Sequence, residues 1–436
     1  MQTLGEPEQQ AGTDQAAYRV VVQKRTMRTL LFSQASGGVG LVATYIVTAL
    51  LAKDITNGSR VLATVAAAFL SIGAATVSFP LARIMSSKGR RVGLRTGYLI
   101  GAAGAIIAVI AAITRSYPLL CLGVFGAGAG NAANLATRYA AADLAPEERR
   151  ARTISMIVWA TTIGSTTGAV VSGLASDVGE SLGLPLKAGS YLLSCLMFLV
   201  AAAIVETRLR PDPLELAGGL SKATGATRGR PSARESLALI MASPPARLAV
   251  GAMIVSQVTM VGVMSLTPLH MDEGGQSQNI IGWMMAFHIW GMYLLSPVIG
   301  SLTDRLGQYP MLYIAGGLCT AGAVWAAITP PAGQVGVFMG NFLIGLGWCF
   351  GVIAASSLLV SEFPLEQRVG VQGVGDLAMI GSGAFAGLFS GAMYTWLGYG
   401  GVNTGNAAFG ALLIAGTAVT YLIVRRTGRP DEVMAA

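Results

Sequence analysis

Long apolar segments alternate with short polar ones along most of the chain. Twelve of these segments reach or approach the roughly 20 residues that a helix needs to cross a bilayer. They cover residues 29–52, 61–84, 94–114, 117–139, 152–175, 188–206, 247–270, 279–303, 309–329, 334–360, 369–396 and 403–424. The pattern predicts an all-α polytopic membrane protein with 12 transmembrane helices in two six-helix repeats.

A polar, basic segment containing several prolines and glycines separates the sixth apolar segment from the seventh. We therefore predict an N-terminal six-helix bundle and a C-terminal six-helix bundle, joined by a cytoplasmic linker and flanked by two cytoplasmic tails. In chain order these five parts cover residues 1–28, 29–206, 207–246, 247–424 and 425–436. The N-terminal part lacks the apolar core and cleavage site of a secretory signal, which is why we interpret it as a tail.

Charge is scarce and unevenly placed. Only 11% of residues are charged, whereas a soluble protein carries about 25%. With both termini in the cytoplasm, only Lys53, Arg60, Arg115 and Lys187 of the 29 lysines and arginines face the other side. This bias predicts a multi-pass membrane protein with both termini on the cytoplasmic side. The net charge of +8 then reflects topology, with the lipid bilayer as partner, and predicts no nucleic-acid binding.

The two halves repeat each other at an offset of about 218 residues. Span 8 is followed by Gly300-x-x-x-Asp304-Arg305-x-Gly307, whereas the matching loop after span 2 keeps only Gly89-Arg90-Arg91. Likewise Asp143-x-x-Pro146-x-x-Arg149 after span 4 matches Glu362-x-Pro364-x-x-x-Arg368 after span 10. Two parallel six-helix repeats with this loop resemble the major facilitator superfamily. The resemblance implies a monomeric secondary transporter that works by alternating access. We expect gating roles for Gly300, Asp304, Arg305, Gly307, Arg149 and Arg368.

Two pairs of potential metal ligands stand out, Met260-x-x-x-Met264 in span 7 and His288-x-x-x-Met292 in span 8. The i, i+4 spacing places the members of each pair on one helix face. Thioether ligands select soft Cu(I), and neither thioether nor neutral imidazole buries a charge. Both histidines of the chain, and seven of its 18 methionines, fall within residues 253–292. We predict a metal site formed by Met260, Met264, His288 and Met292.

Further soft ligands extend this series along spans 7 and 8. We expect a metal path that also uses Met253, His270, Met271 and Met285. The four first-half positions that correspond to the predicted metal ligands are Val42, Ile46, Leu70 and Ala74, none of which can coordinate a metal. This break in the internal symmetry favours a substrate site over a requirement of the fold.

The combination of these two pairs on spans 7 and 8 of a major facilitator protein resembles the CcoA-type bacterial copper importers. The resemblance implies a location in the bacterial inner membrane and import of copper into the cytoplasm for assembly of cytochrome c oxidase, with delivery to a cytoplasmic acceptor that the sequence leaves unidentified. Copper would be the transported substrate, and no permanently bound cofactor is expected.

Energy coupling is less well defined by the sequence. The chain has no Walker motif, which argues against direct use of ATP. Asp376 is the carboxylate placed well inside a span, so we consider it for proton coupling. The alternative interpretation makes Asp376 a structural partner of gating groups near Asp304 and Arg305. Other buried polar candidates are Gln34, Asn131, Asn134, Arg138, Gln257, Asn341 and Gln372.

Two competing functions remain. The chain could be a major facilitator efflux transporter of drugs or small metabolites, whose methionines only make the cavity wall pliable. It could also be a metal sensor or assembly factor that transports nothing, although the intact loop after span 8 favours transport. No Ser/His/Asp, paired-carboxylate or H-E-x-x-H arrangement supports an enzyme.

Overall fold

The structure is a computed structural model that describes residues 6–185, 187–219 and 232–426. Within these ranges the regular elements are α-helices and one short 3₁₀ turn, Glu147–Arg149, which confirms the predicted all-α fold. The helices are α1 (Glu6–Ile55), α2 (Arg60–Lys88), α3 (Arg90–Thr114), α4 (Tyr117–Ala142), α5 (Arg150–Ser181), α6 (Ala188–Arg208), α7 (Pro213–Leu216), α8 (Ala233–Ala242), α9 (Pro244–Met264), α10 (Thr267–Glu273), α11 (Gln278–Tyr293), α12 (Ser296–Leu306), α13 (Gln308–Ile328), α14 (Gln334–Glu362) and α15 (Leu365–Arg426).

Eleven helical segments of the described chain are long and apolar enough to cross a membrane. Predicted spans 11 and 12 are merged in α15, whose 62 residues would extend about 93 Å at 1.5 Å per residue. That length is about three times the hydrocarbon thickness of a bilayer. The backbone of α15 leaves helical geometry at Gly398, where φ is 64°. This kink divides α15 into two membrane passes. The other ten segments and the two passes of α15 together make the twelve predicted spans.

Spans 7 and 8 differ from the continuous helices that the sequence predicts. Span 7 is divided between α9 and α10, and span 8 between α11 and α12. Pro268 lies at the start of α10 and Pro297 at the start of α12. A proline inside a helix removes one backbone hydrogen bond and clashes with the preceding turn. Both spans are therefore broken next to the residues predicted to bind metal.

The two six-helix halves meet mainly through two helix pairs, α2 with α15 and α5 with α12. At the second contact, a Cβ on Gly300 would lie 2.1 Å from Ser155 Oγ. The absence of a side chain at position 300 therefore permits the close approach of α12 to α5. Small residues serve the same purpose at many helix contacts in membranes.

Both contacts lie toward the end of the bundle that carries the linker, which we call the linker end; the opposite end is the distal end. Gly89 and Gly307 occupy equivalent turns at the linker end, with φ/ψ of 89°/166° and 84°/169°. A side chain is strained at positive φ, so both turns require glycine. The first-half loop therefore keeps the backbone shape of the second-half loop, although Ser86 replaces its aspartate.

Candidate functional site

A cavity of about 280 Å³ lies between the two halves, in the middle of the bundle. Tyr45, which lines the side toward the distal end, is half exposed (52%). On the other side, the cavity ends at Arg138. The cavity is thus closed toward the linker end by Arg138, and its wall reaches the exposed Tyr45 on the side of the distal end.

Amide and aromatic side chains supply much of the cavity's polar surface. Trp348 Nε1 donates to Gln257 Oε1 at 2.8 Å, and the Tyr293 ring packs edge-on against Trp348 with centroids 5.6 Å apart. Gln34 Nε2 donates to Thr161 Oγ1 at 2.9 Å, which leaves the buried Gln34 Oε1 without a partner among the described residues. Such an oxygen is available to a hydrogen-bond donor on a bound solute.

Arg138 forms the floor of the cavity and is held by both halves. Its Nη2 pairs with Asp376 of α15, and its Nε donates to Ser356 Oγ of α14 at 3.2 Å. Within α4, Nη1 donates to Leu135 O and Nη2 to Tyr139 OH. The side chains of Arg138 and Asp376 are only 3% and 5% exposed. Asp376 therefore has a charged partner, as its structural interpretation expects, but that partner is Arg138 and not a group near Asp304.

A second buried ion pair lies nearer the linker end. Arg90 Nε and Nη2 donate to the two carboxylate oxygens of Asp143 at 2.8 and 3.0 Å. Arg90 Nη2 also donates to Gln372 Oε1 of the other half at 2.8 Å. The side chains of both Arg90 and Asp143 are 1% exposed. Because α3 and α4 belong to one half, this ion pair fixes the N-terminal bundle itself.

Asp304 closes the linker end through backbone contacts. Its two carboxylate oxygens accept from the N–H groups of Ala151 and Arg152, each at 2.9 Å. These N–H groups belong to the first turn of α5, where a helix carries partial positive charge and favours an anion. The α12 carboxylate thus caps a helix of the opposite half.

The other predicted gating residues have separate positions. Gly300 and Gly307 lie at the close contact and the turn described above. Arg305 and Arg149 are exposed, whereas Arg368 is partly buried and donates from Nε to Phe363 O at 2.8 Å. Arg149 and Arg368 both line a large cavity at the linker end.

The predicted metal ligands fall into two groups. Met260 and Met292 line the central cavity, but Met264 packs against the apolar core and His288 is fully buried. His288 Nδ1 lies 2.7 Å from Asn341 O. Since a carbonyl accepts, Nδ1 carries the proton, and the buried Nε2 is left without a partner among the described residues.

This separation follows from how the C-terminal helices pack. The α9 helix packs against α14 and α15, whereas α11 packs against α14. The two ligand pairs therefore lie on helices that share α14 as a neighbour. They do not face each other, because α9 does not pack against α11 over the residues that the structure describes. The described part of the chain contains no cluster of three or more His, Cys, Asp or Glu side chains that could hold a metal ion.

The residues of the predicted metal path lie outside the cavity lining. Met253 is fully buried in the main core, and Met271 and Met285 belong to a small apolar cluster with Met284. His270 Nε2 contacts Thr329 O at 3.0 Å, and its ring stacks on Tyr399. These four side chains do not extend the cavity wall formed by Met260 and Met292.

Comparison with known proteins identifies the chain. Two overlapping matches to the profile of the Major Facilitator Superfamily cover residues 30–277 and 248–434. The chain belongs to the major facilitator superfamily. As a member of this superfamily it is a secondary transporter and not an enzyme, and its cavity between the halves lies where such transporters bind their substrates.

Curated relatives support the same assignment to the superfamily. The chain is 34% identical over 396 residues to the MFS-type transporter YddS of Bacillus subtilis, covering 90% of this chain and 89% of the relative. It is 34% identical over 379 residues to YdeG of the same organism, covering 86% and 87%. The riboflavin transporter RfnT of Brucella anthropi is 28% identical over 348 residues, covering 78% of this chain and 82% of RfnT.

Solved structures show the same superfamily fold. A bacterial homologue of the iron transporter ferroportin in the outward-facing state aligns with a TM-score of 0.68 at 13% identity, covering 91% of this chain and 98% of that one. The transporter FucP in the outward conformation aligns with a TM-score of 0.65 at 16% identity, covering 89% and 98%.

Several cavity residues escaped the sequence analysis. The sequence does not distinguish three aromatic residues of the cavity, Tyr45, Tyr293 and Trp348, from other aromatic residues in apolar spans. Outside the cavity, it shows Arg90 only as part of a degraded loop. By contrast, Gln34, Asn131, Asn134, Arg138 and Gln257 were recognised as buried polar candidates, and all of them line the cavity. A polar side chain inside a span is a usable signal, whereas an aromatic one is common in any span.

Proposed function

We propose that this major facilitator protein transports a small, uncharged, planar aromatic or heteroaromatic solute through the central cavity. The observation that carries the proposal is the pairing of Trp348 with Gln257 and Tyr293 on the cavity wall. Aromatic rings bind planar ligands by stacking, and amides supply paired donors and acceptors to polar ring substituents.

The charges around the cavity favour an uncharged substrate. Arg138 is the one charged residue in the described lining, and Asp376 compensates it. A charged substrate would leave an uncompensated ion in a buried site, which is strongly unfavourable. The similarity to a protein named as a riboflavin transporter supports the heteroaromatic class.

Transport of radiolabelled riboflavin into proteoliposomes gives a first test with a defined probe. Trp348→Ala should reduce the initial rate by about 5- to 150-fold, since stacking of a planar base on an aromatic side chain contributes about 1–3 kcal/mol. Trp348→Phe should retain most of the rate, and Trp325→Ala, at an exposed tryptophan of α13, should retain all of it. Equal rates for Trp348→Ala and Trp325→Ala, or riboflavin transport no faster than in empty liposomes, would count against this substrate.

Copper is the second candidate because two thioethers, Met260 and Met292, line the same cavity. His288 supports this candidate in one respect. Its Nδ1–H is held by a backbone carbonyl while Nε2 stays free, an arrangement typical of metal-binding histidines. The copper-import hypothesis requires a rearrangement that brings Nε2 to the cavity.

Uptake of radioactive copper by cells lacking their own importer separates the two candidates. Copper transport predicts that Met260→Leu, Met292→Leu and His288→Gln each abolish uptake at normal protein levels. The matched control is Met311→Leu, at a methionine of α13 that is buried outside the cavity and off the predicted metal path. Leucine keeps the volume and apolar character of methionine, so an organic substrate should be transported nearly as well by both methionine variants.

A further inference from the structure

A large cavity of about 860 Å³ lies at the linker end, separate from the central one. Its wall is formed by residues 19–28 of α1, the segment joining α4 to α5, the start of α5, Ala217 of the linker and the start of α15. Six basic side chains line it: Arg19, Lys24, Arg28, Arg149, Arg152 and Arg368.

The positive charge in this cavity is only partly compensated, since Asp304 acts on Arg152, and Asp143 and Glu147 act on Arg368. Asp143 is its one acidic lining residue, and both carboxylate oxygens of Asp143 bind Arg90. Over the described parts of the chain, none of the six basic side chains forms an ion pair. Glu147, which lies nearby in sequence, pairs with Arg150 instead. Like charges that share one cavity repel each other, so a bound anion would stabilise them.

The position of α1 places this cavity at the membrane surface. From Tyr18 to Ile55 the helix has 38 residues, or about 57 Å at 1.5 Å per residue. The hydrocarbon core is about 30 Å thick, so the basic first turns extend beyond it toward the headgroups. Val20, Met27 and Met156 add an apolar portion to the wall beside the basic groups.

We propose that this basic cavity binds a phosphate-bearing anion, supplied either by the headgroup of an acidic phospholipid or by a soluble phosphate compound. Arginine and lysine side chains suit phosphate oxygens. Arg28 and Arg152 belong to the N-terminal half, whereas Leu365 and Arg368 belong to the C-terminal half.

An anion in this position therefore joins the halves where they must separate to open the linker end. A ligand shifts a conformational equilibrium in proportion to its preference for one state. Occupation of the basic cavity should favour the form that is closed at the linker end and open at the distal end, so acidic lipid would regulate transport of whatever solute the central cavity carries.

The test uses the full-length transporter in nanodiscs of phosphatidylcholine with increasing phosphatidylglycerol, and in detergent with inorganic phosphate. The readouts are the thermal midpoint of unfolding and the labelling rate of Tyr45→Cys at the distal opening. The test variant is Lys24→Gln/Arg28→Gln/Arg152→Gln. The control is Arg83→Gln/Lys88→Gln/Arg425→Gln, which removes the same charge from exposed residues outside the cavity lining.

Phosphatidylglycerol should raise the midpoint and the labelling rate of the wild type and the control, and at least threefold more lipid should be needed for the test variant. Stabilisation by inorganic phosphate as well would assign the site to soluble phosphate compounds, and stabilisation by lipid alone would assign it to headgroups. An identical lipid response of test and control variants, or no response of the wild type, would overturn the proposal and leave the basic residues as topology determinants.

Discussion

Two arginine–carboxylate pairs are similarly buried but connect different parts of the protein. Arg90 and Asp143 both belong to the N-terminal half, whereas Arg138 and Asp376 come from opposite halves. In alternating access the halves rock against each other, so the first pair can persist through the cycle while the second must separate. Two equally buried ion pairs therefore have different roles. The first stabilises the N-terminal half, and the second affects the balance between conformations.

The largest expected effect is on stability, at the pair within one half. Arg90→Met leaves Asp143 as an uncompensated buried charge, which costs about 3–5 kcal/mol. We expect a clear fall in the thermal midpoint of the detergent-purified protein and a loss of protein from the membrane. Arg90→Met/Asp143→Leu should recover much of the midpoint, because replacing both charges by apolar groups is often neutral. An unchanged midpoint in Arg90→Met would show that this pair is not structural.

The pair between the halves should respond differently to the same kind of change. Asp376→Asn penalises only the state in which Arg138 contacts α15, so transport should fall by more than about tenfold with a smaller loss of thermal stability than in Arg90→Met. Labelling of Tyr45→Cys should slow, because the form open at the distal end becomes less populated. If Asp376→Asn destabilises the fold as much as Arg90→Met, the distinction between the pairs is wrong.

The close contact of α12 with α5 at the linker end allows a test that changes no charge. Gly300→Ala places a methyl group 2.1 Å from Ser155 Oγ and 2.8 Å from Ala151 O. The closed linker end should become unfavourable, and labelling of Tyr45→Cys should slow severalfold. Ser155→Gly in the same chain should restore part of the rate. Gly391→Ala should have no effect, because an added Cβ at position 391 has no neighbouring atom within 4 Å. Normal labelling in Gly300→Ala would contradict the close approach of α12 and α5.

The smallest effect is expected at the helix cap. Asp304→Asn keeps one accepting oxygen but loses the second acceptor and the charge that faces the first turn of α5, an interaction of about 0.3–2 kcal/mol. Transport should fall only a fewfold, and the loss should diminish at high salt because exposed electrostatic interactions are screened. A loss as large as that of Asp376→Asn would mean that Asp304 does more than cap α5.

The fold was accessible from the sequence because a lipid environment constrains it strongly. Twelve apolar segments, a repeat offset and the Asp304 loop sufficed for the architecture, since spans in lipid must be helical. The metal constellation was harder to judge. The i, i+4 spacing correctly places Met260 and Met264 on one helix, but it does not say which neighbouring helix that face meets. Packing of α11 against α14 turns His288 toward Asn341, and no pattern within a single segment encodes that contact.

The hydrogen bond from Arg138 to Ser356 joins residues 218 positions apart, which is the repeat offset of the two halves. These residues are therefore equivalent positions of the duplicated bundle, facing each other across its pseudo-twofold axis. Had both copies kept an arginine after duplication, two guanidinium groups would confront each other in a buried site with one aspartate between them. Asp376 alone would compensate only one of them, so the difference between the two copies at this point, arginine in one half and serine in the other, keeps the buried charge balanced.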